Sequence, residues 1–297
     1  MVRILKILVA IGLGLVVVSL LVVYGISEWR MNQEYAVSDV ALSLPGEVGD
    51  PVRGEHLVRA VSVCVDCHGD DLSGEHVEKV PLLARVTAPN LTPGAGGIGE
   101  SSERELVLAI RHALSNENKP LIVMPSQNFY YLSDDDLAAV LAYLRTVPPV
   151  EGHLDQGNPG LLIRGPMIFD MFALLPAAQI DHNAPRPDTP EEAANAKYGS
   201  YLVAIAGCRD CHGTPLSGGR VPGFGPSAPD LTMTGNAARW DLEDFMLAMR
   251  EGTTSAGQEI DSIMPWRYYA GMTDLELTAI HEYLQTLPVE GTLPADD

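Results

Sequence analysis

Two five-residue runs share one pattern, Cys-x-x-Cys-His: Cys64, Cys67 and His68 in the first, Cys208, Cys211 and His212 in the second. Together they use all four cysteines of the 297-residue chain. Two intervening residues let the thiols reach opposite edges of one porphyrin, where each bonds a vinyl group. The histidine that follows then points at the metal. Cys-x-x-Cys also serves zinc ribbons and thioredoxin-like redox sites. Those alternatives do not explain a histidine directly after each pair and no cysteine left over. The pattern predicts two covalently bound haem c groups, with His68 and His212 as metal ligands.

The surrounding sequence repeats along with the motif. Ala-Pro-Asn-Leu-Thr at 88–92 returns as Ala-Pro-Asp-Leu-Thr at 228–232, and Met124-Pro125 returns as Met264-Pro265, each shifted by 140 residues. Helix starts at Ser133 and Thr273 keep that shift, as do Tyr-Leu-x-Thr-x-Pro segments at 143–148 and 283–288. The cysteines are 144 apart, which puts the length change in the loop just after the motif. A thioether opposite histidine is common on the iron of electron carriers and raises its reduction potential. Met124 and Met264 are the candidates, because they share one repeat position and each precedes a rigidifying proline. Other methionines read as packing. Met167 and Met171 lie in a connector, and Met272 stands where the first copy has Leu132. His56, His76, His112, His153, His182 and His281 have no histidine counterpart in the other copy and read as surface or packing residues. Pro89 and Pro229 have two open readings: a carbonyl that orients the ring N–H of His68 or His212, or an ordinary turn proline.

These residues resemble the class I cytochrome c fold and, more narrowly, the multihaem cytochrome c subunits of membrane-bound alcohol and gluconate dehydrogenases. The similarity covers about residues 50–292 and is carried by Arg53-Gly-Glu-His-Leu-Val, Pro89-Asn-Leu-Thr, Gly97-Ile-Gly and Lys119-Pro-Leu. Met124-Pro, Leu132-Ser-Asp-Asp-Asp-Leu, Ala142-Tyr-Leu-Arg and Lys197-Tyr-Gly-Ser-Tyr-Leu-Val complete it. That family usually has three haems and this chain has two motifs, so the resemblance implies electron transfer without naming the enzyme partner. It also implies a helix crossing in which Gly54 admits Tyr143, and Gly199 admits Tyr283.

The elements that must hold these residues are helical. Ser102–Glu105, Ser133–Asp136, Asp241 and Thr273–Glu276 are helix-start signals. Leu106, Ile110, Ala113 and Leu114, then Leu137, Val140, Leu141 and Leu144, then Leu277, Ile280 and Leu284, form apolar faces at helical spacing. The expected fold is all-α with negligible strand: two tandem class I cytochrome c-like domains, 51–152 and 193–297, and one N-terminal transmembrane helix. Residues 1–30 are the anchor, 31–50 a tether and 153–192 the interdomain connector. The connector's stretch 161–175 is too apolar for a free linker and is expected to pack on the domains or on a partner subunit.

Arg3 and Lys6 precede an almost unbroken apolar run, 7–26, long enough to span the ~30 Å of bilayer hydrocarbon. A cleaved signal peptide is the rival reading, but its apolar region is usually shorter. Tyr24 and Trp29 suit a membrane interface, and the basic start is expected to stay cytoplasmic. With 19 Lys/Arg against 39 Asp/Glu the formal charge is −20, which argues against nucleic acid as a partner. The expected function is a dihaem cytochrome c in the inner membrane. It would pass single electrons between redox protein partners on the periplasmic face, within a respiratory, photosynthetic or dehydrogenase complex and without a small-molecule substrate. The alternative is a dihaem peroxidase, which would need an open sixth position at one haem.

Overall fold

The computed structural model of the chain describes residues 2–44, 49–80, 84–152, 154, 159–169, 174–220, 225–235 and 239–287. Helix α1 (Val2–Met31) is followed by the one-turn α2 (Asp39–Leu42). A first set of elements comprises α3 (Pro51–His56) running into a π-helical turn (Leu57–Val61), α4 (Val65–His68), strands β1 (Glu75–Val80) and β2 (Ala84–Ala88), α5 (Glu103–His112), α6 (Ser126–Phe129) and α7 (Asp134–Thr146). After α8 (Leu161–Ile168) and a 3-10 turn at Pro176–Gln179, the same order returns. It consists of α9 (Ala196–Ile205), α10 (Cys208–His212), β3 (Gly219–Arg220), β4 (Ser227–Ala228), α11 (Leu242–Glu251), α12 (Trp266–Tyr269) and α13 (Asp274–Leu284).

Local sequence explains where the helices begin. Ser102 Oγ accepts from the Glu105 N–H while Glu105 accepts from the Ser102 N–H at 2.7 Å, so two otherwise unpaired donors at the start of α5 are satisfied. Thr273 and Glu276 do the same for α13, and Ser133 and Asp241 cap α7 and α11 from one side. The apolar faces that these helices present join one continuous core, including Leu57, Leu106, Leu137, Leu144, Leu202, Leu277 and Leu284.

Two helix crossings close the two sets. A Cβ added at Gly54 would lie 1.9 Å from the Ala139 carbonyl oxygen of α7 and 2.8 Å from Tyr143 Cβ. At Gly199 the distances to Ala279 and Tyr283 of α13 are the same, 1.9 and 2.8 Å. Backbone touches backbone at both places, which is the crossing that the resemblance implies.

The copies differ where one residue has been inserted. Gly199 lies nine positions before Cys208, but Gly54 lies ten before Cys64. The extra residue widens one turn to i→i+5, with the Ser62 N–H donating to Leu57 O at 2.7 Å. Val63 then holds φ 49°, at the position where the second copy has Gly207 at φ 72°. A β-branched side chain in the left-handed region is strained, so the bulge carries a local cost that the second copy avoids.

Strand content amends the all-α expectation. The segment from His68 to Pro89 is longer than that from His212 to Pro229 and folds back on itself as the antiparallel pair β1–β2; the shorter β3–β4 pair occupies the same place in the second copy. The tether also differs from a free strap. Leu42 is buried, the Tyr35 N–H donates to Asn118 O at 3.0 Å, and Arg186 Nη1 donates to Ser43 O at 2.7 Å. Helix α8 packs against α1, and Met167 within it is fully buried. His153 and Met171 lie outside the described residues.

Because only a hydrogen atom fits at each crossing, even Gly54→Ala or Gly199→Ala is expected to force the helices apart. Thermal unfolding should show a loss of about 1–3 kcal/mol or more in either variant. Wild-type stability in both would contradict the backbone contact.

Candidate functional site

The Cys-x-x-Cys-His runs sit on α4 and α10, single turns stopped by Gly69 at φ 81° and Gly213 at φ 79°. The chain then doubles back, and the N–H groups of Gly74 and Gly218 donate to the carbonyls of His68 and His212, at 2.9 Å in both cases. A Cβ at Gly74 would stand 2.8 Å from Ala88 O, and one at Gly218 would stand 3.0 Å from Ala228 O. Glycine there allows the strand carrying the next proline to pass against the histidine's own loop.

That approach orients both imidazoles. His68 Nδ1 lies 2.8 Å from Pro89 O, and His212 Nδ1 lies 2.8 Å from Pro229 O. A carbonyl oxygen only accepts, so Nδ1 carries the proton and Nε2 keeps its lone pair. Burial lowers the pKa of both rings, only partly offset by the proline carbonyls, and so favours neutral imidazole. Asn90 anchors the first proline segment, donating to Val150 O at 2.8 Å and accepting from the Thr92 N–H at 2.8 Å. In the second copy Asp230 accepts from the Thr232 N–H at 2.7 Å.

None of the four cysteines is paired in a disulfide, and desolvation raises the pKa of each thiol. Two thiols on one turn, followed by an imidazole whose Nδ1 is held by a proline carbonyl and whose Nε2 is free, fit the attachment and ligation of one haem by each run. Among the described residues no group of three or more His, Cys, Asp and Glu is arranged to hold a metal ion by itself.

Met124 and Met264 occupy matching positions here too. Each is half-buried against the core, and its carbonyl accepts from an N–H at 2.8 Å, that of Ser126 in the first copy and Trp266 in the second. Met272 and Leu132 are both 1 % exposed at equivalent core positions, which accounts for Met272 as packing. The unmatched histidines are held by hydrogen bonds. His76 Nδ1 is 3.1 Å from Thr87 Oγ1, and His281 Nε2 is 3.1 Å from Trp240 O. His112 and His182 form a buried pair with their Nδ1 atoms 3.0 Å apart.

A contact between the two halves, not foreseen from sequence, brings the motifs into the same neighbourhood. It is reciprocal: α6 touches α9 as α12 touches the π turn. Asp136 Oδ2 accepts from Tyr201 OH at 2.6 Å, and at the corresponding place Glu276 Oε2 is 2.7 Å from His56 Nε2. Arg53 joins the two carboxylates, with Nε 2.9 Å from Asp136 and Nη1 3.2 Å from Glu276. Asp66, between the first two cysteines, accepts from Arg267 at 3.0 Å, just beyond Met264. Asp210, between the second two, accepts from Asn128 at 2.6 Å and Gln127 at 3.1 Å, just beyond Met124. One available signal was that Asp136 and Glu276 stand at the same repeat position, three residues into a capped helix.

A family model for cytochrome c matches residues 52–148. Residues 52–148 are a cytochrome c domain. Over 269 residues, 79% of the chain, it is 28% identical to the gluconate 2-dehydrogenase cytochrome c subunit of Pantoea cypripedii. Over 270 residues, 80% of the chain, it is 25% identical to the cytochrome c subunit of the quinone-dependent alcohol dehydrogenase of Gluconobacter oxydans. The chain spans 59% and 54% of these two relatives. A dihaem c-type cytochrome of Cereibacter sphaeroides is 26% identical over 273 residues, 82% of the chain and 88% of that protein.

The bridge beside this cytochrome c domain has a pH signature. Burial would raise the pKa of Glu276, but His56, the Thr273 N–H and Arg53 outweigh it and hold the carboxyl below its usual range. Such a group contributes stability above its unfolded pKa and loses that contribution as pH falls through its folded value. Glu276→Gln is expected to cost on the order of 2 kcal/mol at neutral pH, less than for a lone buried pair because Arg53 retains Asp136. Unfolding curves of variant and wild type should converge as pH drops below about 4. Equal stability at neutral pH would contradict the bridge.

Proposed function

We propose that the chain is a membrane-anchored dihaem cytochrome c with two tandem cytochrome c domains. In this reading it carries single electrons between protein partners on the outer face of an energy-conserving membrane and is not itself an enzyme. The observation that carries this reading is the duplicated arrangement at His68 and His212. Each motif is stopped by glycine, folded back, and matched to a proline carbonyl at 2.8 Å. Cys64, Cys67, Cys208 and Cys211 would attach the two haems, His68 with Met124 and His212 with Met264 would ligate them, and Pro89 and Pro229 would fix the ring orientation. Bound haem supplies reversible one-electron chemistry. The protein's share is to fix the ligand set, bury it and keep the two sites in one rigid contact.

The relatives that are cytochrome c subunits of gluconate and alcohol dehydrogenases support a membrane dehydrogenase as the partner. The dihaem relative supports the stoichiometry of two. Matched Met124 and Met264 disfavour the peroxidase alternative, which needs one open position. Residues 7–26 would span the membrane with the N-terminus in the cytoplasm; α1 contains a stretch of mean hydropathy 2.9 with none of it buried.

Two measurements test this. In the oxidised protein a Met–iron charge-transfer band is expected from both haems, and Met124→His should remove about half of it and lower one of two reduction potentials. An unchanged spectrum would place the ligand elsewhere. Replacing residues 1–26 by a cleavable signal should release a soluble protein that still carries two haems by mass, and retention in protein-free lipid would contradict the single span.

A further inference from the structure

The connector helix α8 is fastened to one particular place on α1. Arg164 is 7 % exposed although it belongs to a surface helix. Its Nη1 donates to Ser27 Oγ and to Glu28 Oε2, at 2.9 Å in each case, and its guanidinium lies 4.3 Å from the centre of the Tyr24 ring. In return, Arg30 Nη1 of α1 donates to Ile168 O at the end of α8, at 3.0 Å. From Val23 to Arg30 the positions of α1 that lose exposure are Val23, Ser27, Glu28 and Arg30, while Ile26 and Trp29 on the other faces stay open.

This place has a definite depth. A span over 7–26 rises about 30 Å, so Tyr24 to Trp29 stand at the outer boundary between hydrocarbon and headgroups. α8 therefore lies alongside the last turns of the anchor at that boundary. Its visible polar cost is already met, because the one charged side chain of α8 is paired, and it rests against Ser27, Glu28 and Tyr24. The polar side chain apart, the described residues of α8 that keep some exposure include Ile163, Pro166 and Ile168, and Phe169, directly after it, is 73 % exposed; Trp29, on another face of α1, is 65 % exposed. Exposed aromatics at this depth are the pattern of an interfacial belt, and a buried arginine lying along apolar groups with its head directed to polar partners is snorkelling.

We propose that α8 is a second membrane contact, an interfacial helix whose half-exposed Ile163, Pro166 and Ile168, with the exposed Phe169, enter the outer leaflet of the bilayer. The proposal rests on the anchor reading above. Its occupant is lipid rather than a partner protein, because the surface is continuous with the lipid-facing side of α1 and lies at the depth where that side ends. Together with the docked tether, it would hold the first cytochrome c domain at a set height over the membrane.

The test uses the full-length holoprotein in vesicles of phosphatidylethanolamine and phosphatidylcholine. A photoreactive benzoylphenylalanine replaces Phe169, Leu15 or Val52, all exposed, in three separate variants checked for intact haem spectra. Lipid adducts, read by mass, are expected at Leu15 and several-fold above the Val52 background at Phe169. Adduct at Leu15 with only background at Phe169 would overturn the interfacial helix and leave the anchor standing. Absence of adduct at Leu15 would instead sink the anchor, and this inference with it. In native membranes, a Phe169 adduct to protein in place of lipid would show a subunit on this surface and would also overturn the proposal.

Discussion

The contact on which the remaining structure depends is the touching of two helix backbones, at Gly54 on Ala139 and at Gly199 on Ala279. The space at each crossing admits no atom beyond hydrogen, with a hypothetical Cβ 1.9 Å from a carbonyl oxygen. Close approach draws the helix before each Cys-x-x-Cys-His turn onto the last helix of its set, so chain separated by some 80 residues is clamped at the base of the motif. Leu72 and Leu216, in the loops after the histidines, belong to the same core that Met124 and Met264 pack against. Overpacking at this point would disturb every later contact, because a packed interior transmits displacement rather than absorbing it.

The two sets also meet each other in a reciprocal way, with equivalent positions on both sides, as in an isologous dimer built within one chain. Departures from equivalence are where individuality enters. Arg53 takes the place of Tyr198 and ties both carboxylates together. Arg267 offers a charge to Asp66 where Asn128 and Gln127 offer amides to Asp210. The π turn at Leu57–Val61 absorbs an inserted residue and leaves Val63 strained, while Gly207 meets the same turn without strain. Such differences give two motifs of shared design different electrostatic surroundings.

Helix α1, the segment after it and the stretch carrying α8 are fastened to one another and to the first set of elements. Arg164 on Glu28 and Ser27, Arg30 on Ile168, Tyr35 on Asn118 and Arg186 on Ser43 join segments that are remote in sequence. A free tether would let the domain sample many heights and tilts. These bonds select one placement of the first set of elements relative to α1.

Much of the chemistry was legible in the residues themselves. A motif and a capped helix are each set within a few neighbouring positions, so the helix starts at Ser102–Glu105 and Thr273–Glu276 could be read from spacing alone, and the two Cys-x-x-Cys-His runs could be recognised as a pair. The repeat singled out Met124 and Met264, and the structure sets both at matching positions against the core. Tertiary structure decided what depends on residues far apart in the chain. Pro89 and Pro229 had two readings until their carbonyls lay 2.8 Å from the imidazole nitrogens. His56 looked unmatched until it met Glu276, 220 positions away, opposite the Tyr201–Asp136 pair. Arg164 stands in the apolar stretch 161–175 with nothing nearby in sequence to pair it, and packing brings Glu28 and Tyr24 to it. The physical reason is one of range. Periodicity and spacing report bonds and turns along the chain, while the partner of a buried charge is fixed only when packing brings the two together.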